Sequence, residues 1–153
     1  MSYQRKKILA AAVELYLQDG LDGFSMRKLA KQIGVTAPAL YRHYDGKEHL
    51  LADVMREAHR AFISYLYQAI EAPTPLERFV RAGQGFLDFA LEHPRWHVIL
   101  YFGPEDLGMV ELPADIEAMS GARHQFWIDR VRECMDAGIL KEGDPTQTGL
   151  TMW

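Results

Sequence analysis

The chain has a single cysteine, Cys134, among 153 residues. An internal disulfide is therefore excluded, and a reducing, cytoplasmic setting fits best. Long apolar runs are also missing. The opening stretch MSYQRKKILAAAVELYLQDG carries charges at 5, 6, 7, 14 and 19, which breaks a signal-peptide or membrane-spanning reading. No segment alternates apolar and polar residues with a period of two, so no strands are expected. Internal repeats and low-complexity tracts are absent as well.

Motifs that carry chemistry are equally sparse. Gly83-Gln84-Gly85 lacks the preceding strand and the third glycine that a nucleotide loop needs. His93 and His97 are four apart, but Pro94 starts a new helix between them. With no HExxH and one cysteine, neither a metal nor a cofactor is expected. No nucleophile, base and orienting group share a recognisable motif, so the chain does not read as an enzyme.

What is present is helix punctuation. The composition, 48% hydrophobic and 25% charged, suits a soluble globular protein with a buried core. Apolar residues recur at three and four, which predicts an all-α fold. A first helix from about Tyr3 to Gln18 has Ile8, Leu9, Ala12, Val13, Leu15 and Tyr16 on its apolar face, and Gly20 stops it. A second follows the N-cap Ser25, with Met26, Leu29, Ala30 and Ile33 inward, and ends at Gly34. A third starts behind Thr36, whose hydroxyl is expected to accept from the N–H of Ala39. Pro38 is tolerated there because the first turn needs no intrahelical donor. Two short helices joined by Gly-Val-Thr form a helix-turn-helix.

The later chain is punctuated as well. Asp45 and Glu48 suggest a capping box for a fourth helix of about 24 residues, with Leu51, Val54, Met55, Ala58, Phe62, Tyr65, Leu66 and Ala69 as its stripe. Thr74-Pro75-Leu76-Glu77 opens a fifth helix, which ends at His93. Pro94 begins a short sixth. Residues 103–113 read as a loop, and a seventh helix runs from about Ala114 to Ala137, stopped by Gly138. Leu150, Met152 and Trp153 look like the start of a further helix, so the chain is expected to be truncated.

Charge is uneven. Residues 1–50 hold eight Lys and Arg against five Asp and Glu, a net +3, whereas the rest carries −7. A basic first third suits a nucleic-acid footprint. On a helical wheel Leu40 and Tyr44 face inward, while Pro38, Tyr41 and Arg42 face out. Arg42 can bond a guanine edge or clamp a phosphate. Thr36, Ala37 and Pro38 at the helix tip suit base contacts. Tyr41, His43 and Lys47 suit phosphates, as do Ser25 and Arg27.

Residues 3–55, including FSMRKLAKQIGV, TAPALYRHY and GKEHLL, resemble the N-terminal domain of the TetR family of bacterial transcriptional regulators. The resemblance implies a DNA-binding domain over 1–47 and a helical ligand-binding and dimerisation domain over 48–153. It also implies a homodimer on a near-palindromic operator of double-stranded DNA, released when a small effector binds. The same nine positions, Ser25, Arg27, Thr36, Ala37, Pro38, Tyr41, Arg42, His43 and Lys47, then face DNA.

The ligand is not named by the resemblance. Phe62, Tyr65, Phe86, Trp96 and Trp127 are candidates to line an apolar cavity, for an apolar or amphipathic effector. Arg123 falls within the apolar face of the seventh helix, where it either meets an anionic ligand, joins an internal salt bridge or snorkels outward. Gly83, placed mid-stripe on the fifth helix, calls for a close helix crossing or ligand space. A competing reading is an architectural or partner-controlled DNA-binding protein with no small ligand. A sizeable apolar cavity among the fourth to seventh helices favours the effector; a solid core favours the partner.

Overall fold

The computed structural model describes residues 2–151. Among the described residues all regular structure is helical: α1 (Tyr3–Gly23), α2 (Met26–Ile33), α3 (Ala37–Tyr41), α4 (Lys47–Ile70), α5 (Pro75–Glu92), α6 (Pro94–Ile99), α7 (Pro104–Leu107), α8 (Ala114–Asp136) and α9 (Pro145–Thr151). Two compact units emerge. One comprises Met1–Ala58 with Arg95–Pro113, and the other His59–Pro94 with Ala114–Trp153. The long α4 contributes its first half to one and its second half to the other.

In the first unit the helix ends follow local chemistry. Ser25 Oγ accepts from the Lys28 N–H at 3.1 Å, a cap worth about 1 kcal/mol. Gly34 closes α2 in the left-handed region, at φ 71° and ψ 34°, which a side chain would resist. Gly20 breaks α1 likewise, at φ 71°, although one more helical turn follows before Phe24. Ile8, Leu15, Leu29, Leu40, Leu50 and Leu51 are the buried centre. Each contributes roughly 1.5–3 kcal/mol by leaving water.

Three expectations need correction here. The Ala39 N–H donates to the backbone carbonyl of Thr36 at 3.0 Å, and the Thr36 hydroxyl makes no capping bond. α4 begins at Lys47, so Gly46, not Asp45, occupies the cap position, and its carbonyl accepts from the Leu50 N–H. The expected loop at 103–113 contains α7, closed by a bond from the Gly103 N–H to Asp106 Oδ2 at 2.7 Å. A proline at the first helical position and a carboxylate two residues on suffice for a single turn.

The second unit packs the end of α4 with α5, α8 and α9. Thr74 and Glu77 cap α5 reciprocally, with Pro75 at its first position. The buried line of α5 is Ala82, Gly85 and Phe89, whereas Leu76, Val80 and Leu87 are exposed. Gly83, placed mid-stripe by the sequence, therefore lies off the buried line. α5 has apolar residues around most of its circumference, so periodicity cannot choose a face. Gly83 has nothing within 4 Å of a built Cβ, while at Gly85 that Cβ would sit 2.6 Å from the Tyr65 carbonyl oxygen. The close crossing is at Gly85.

On α8, Ile116, Trp127, Val131 and Cys134 are buried. The further helix anticipated near Leu150 begins at Pro145 as α9. Met152 and Trp153 lie outside the described residues.

Candidate nucleic-acid interface and ligand cavity

The turn at Gly34 and the helix start behind Thr36 leave three residues between α2 and α3. Leu40 and Tyr44 are fully buried and fix it to the first unit, while Tyr41 is half-exposed. Thr36, Pro38 and Arg42 are exposed beside it, as are Ser25 and Arg27 at the start of α2; Ala37, His43 and Lys47 are half-buried. The nine candidate DNA positions thus belong to α2, α3 and the start of α4 in one unit. Lys47 already has work inside the protein. Its Nζ donates to the Leu21 carbonyl at 3.3 Å and lies 5.9 Å from the Phe24 ring centre.

A buried carboxylate holds the C-terminal end of this recognition segment. Asp53 of α4 accepts from the Tyr44 hydroxyl at 2.9 Å, from Arg5 Nη2 at 3.1 Å and from Arg56 Nη1 at 2.7 Å. The Arg5 guanidinium also stacks 4.6 Å over the Tyr44 ring. Burial pushes the Tyr44 phenol up to about 12, with Arg5 opposing it, so at neutral pH the hydroxyl is a donor to Asp53. Sequence reasoning missed this group. Two of its partners, Arg5 and Tyr44, come from α1 and the segment after α3, and the Arg5 contact spans 48 residues.

The cavity lies in the second unit, between α4 and α8, and has a volume of about 210 Å³. α4 lines it with His59, Phe62, Ile63, Leu66, Tyr67 and Ile70, and α8 with Met119, Ala122, Arg123 and Phe126. These positions repeat at three and four on each helix, so each helix presents one face. Exposed Ile63, Tyr67 and Ile70 form its outer rim.

Of the six sequence candidates, Phe62 and Arg123 line this cavity. Phe86 and Trp127 meet edge to face, with ring centres 6.3 Å apart, outside the lining. Tyr65 points elsewhere: its hydroxyl donates to Glu92 Oε2 at 2.6 Å and lies 2.9 Å from His93 Nε2. Trp96 belongs to the first unit. His59, which the sequence did not single out, is 2% exposed. Burial, and then the nearby Arg123 charge, lowers its pKa to about 4, so the ring is neutral at pH 7.

A buried three-helix core presenting one short helix defines a helix-turn-helix DNA-binding module. Residues 8–54 match the model for bacterial regulatory proteins of the tetR family. The HTH-type transcriptional repressor KstR2 of Mycolicibacterium smegmatis is 26% identical over 145 residues, covering 90% of this chain and 68% of its own length. The class A tetracycline repressor protein from transposon 1721 of Escherichia coli is 44% identical over 55 residues, 36% of this chain and 25% of its own. Residues 8–54 thus match the N-terminal domain of the TetR family of bacterial regulatory proteins. AibR, solved with isovaleryl coenzyme A and operator DNA, shares the fold. Its TM-score is 0.77 at 23% identity, over 97% of this chain and 80% of that one. The chain thus spans about two thirds of the repressor KstR2 and a quarter of the tetracycline repressor.

Proposed function

We propose that the protein is a cytoplasmic transcriptional repressor, not an enzyme, that binds a near-palindromic operator as a homodimer. A small apolar or amphipathic effector in the α4–α8 cavity releases it. The exposed tip of α3, within the family-matched region, carries this reading. Thr36, Pro38, Tyr41 and Arg42 meet solvent there, while Leu40 and Tyr44 anchor the helix from behind. Arg42 suits a guanine edge or a phosphate, and Arg27 with Ser25 suits the neighbouring backbone.

Two further observations support effector control. A relative carries the name repressor, and AibR was solved with both a small ligand and operator DNA. One continuous helix also supplies Asp53, which holds Tyr44, and the cavity face from His59 to Ile70. The alternative, control by a protein partner alone, expects a solid core where the cavity lies.

Selection from a randomised duplex library, repeated at several salt concentrations, tests the reading. An enriched inverted repeat, with affinity falling steeply as salt rises, is the expected result. Weak, sequence-blind binding at every salt concentration would overturn it.

A further inference from the structure

His59 stands in the wall of the α4–α8 cavity, and its Nε2 is buried with no hydrogen-bond partner. The ring is 2% exposed and neutral at pH 7, so neither water nor an ion pair compensates that nitrogen. A buried polar atom left in this state is costly to the protein, and whatever completes its bond recovers the cost. Arg123, on the α8 side, has an interaction of its own within the protein. His59 Nε2 is thus the orphaned polar atom of this wall among the described residues.

The space beside it is small and greasy. Phe62 and Leu66 of α4 line it together with Met119 and Phe126 of α8. Its volume of about 210 Å³ exceeds the roughly 150 Å³ in which an apolar cavity holds benzene. It falls short of the roughly 300–1,000 Å³ of drug-sized sites. A single substituted ring, or a chain of similar bulk, fits.

Charge and hydrogen bonding narrow the choice further. An ion would surrender its hydration to a hydrocarbon wall, and a neutral imidazole returns too little. A cation would also meet the Arg123 charge, which reaches His59 itself. Water is a poor occupant, because a buried water needs several polar partners. Nε2 is a donor in one neutral tautomer and an acceptor in the other. A hydroxyl group both donates and accepts, so it satisfies either; an ether or a ketone serves only one.

We propose that the cavity takes a compact uncharged alcohol or phenol, its apolar body against Phe62, Leu66, Met119 and Phe126 and its hydroxyl bonded to His59 Nε2, the ring turning to meet it. The inference deepens the effector reading and rests on it only for the release of DNA.

The test uses the full chain at pH 7 and three probes of one shape: para-cresol, para-xylene, in which a methyl replaces the hydroxyl, and para-toluate, which carries a carboxylate. Calorimetry measures binding, and fluorescence anisotropy measures release of a selected operator duplex. Para-cresol is expected to bind, and its affinity relative to para-xylene should fall about tenfold in His59→Leu. Comparing the ratio in the two chains cancels the difference in how water holds the two probes. Ala122→Phe, which fills the cavity, should abolish binding of both.

An unchanged ratio in His59→Leu would overturn the proposal, as would cresol binding that survives Ala122→Phe. So would tighter binding of para-toluate than of para-cresol, or failure of every probe to bind. If His59→Leu does not fold, His59→Met supplies the same comparison. Cresol held through His59 without release of DNA would uphold the ligand class and overturn the effector reading. Calorimetry needs no operator, so a failed operator selection leaves the ligand result standing.

Discussion

Asp53 and His59 sit six residues apart on α4, one in each compact unit, and both are buried. Their surroundings treat them oppositely. Asp53 is met by Arg5, Arg56 and the Tyr44 hydroxyl, which together fill both carboxylate oxygens. His59 has no hydrogen-bond partner at Nε2, and the charge that acts on it is that of the Arg123 cation. A buried ion persists where donors converge on it; where they do not, a titratable group stays neutral. The first unit therefore spends its buried polarity on fixing the recognition helix. The second leaves it at the wall of the α4–α8 cavity.

Removing the carboxylate is the most direct way to break this contrast. Asp53→Ala removes the acceptor shared by the Tyr44 hydroxyl, Arg5 and Arg56, and should cost about 1–3 kcal/mol in urea unfolding. Asp53→Asn, which keeps an acceptor but loses the charge, should cost less and still weaken operator binding. A loss below about 1 kcal/mol in both would mean that solvent, not Asp53, satisfies these partners.

The next effect concerns pH. The unfolded His59 titrates near 6.5 and the folded one near 4. Between those values the unfolded chain binds more protons, so stability falls as pH drops from about 6.5 to about 4 and levels off below. The full loss is about 3 kcal/mol. Urea midpoints measured across this range should show the slope, and His59→Leu should flatten it. A slope that survives the substitution would place the responsible group elsewhere.

The fold was legible in the sequence wherever local chemistry decides. Ser25 with Gly34, Thr74 with Pro75, and His93 with Pro94 punctuate the helices because caps and breaks need only neighbours. The wheel for α3 placed Leu40 and Tyr44 inside for a related reason: the helix has a single large aliphatic side chain, Leu40, and Tyr44 follows it four residues on. Longer-range facts were not legible. Asp53 reads as one more charge on an amphipathic helix until Arg5 is found beside it. His59 has no periodic signal that separates it from a surface histidine. The cavity was foreseen only through Phe62 and Arg123, because the aromatics of α5 could face either way. Thr36 marked the helix start correctly, yet its backbone carbonyl performs the bond assigned to its hydroxyl.

The glycines of α5 extend the contrast between neighbours to a smaller scale. Gly85 faces the backbone of α4, and the Cβ of an alanine there would lie 2.6 Å from the Tyr65 carbonyl oxygen. Backbone cannot step aside as a flexible side chain can, so the two helices must separate. Gly85→Ala should therefore destabilise by about 1–3 kcal/mol. Two residues earlier, Gly83 has open space around the same atom and ordinary helical backbone. Gly83→Ala should stabilise by about 0.5–1 kcal/mol, chiefly by reducing the freedom of the unfolded chain. Thermal unfolding of the two single variants reads both signs. Opposite shifts would fix the α4–α5 crossing at Gly85; matching gains would show that this crossing relaxes freely, and that α5 is held by its capping box and aromatic contacts instead.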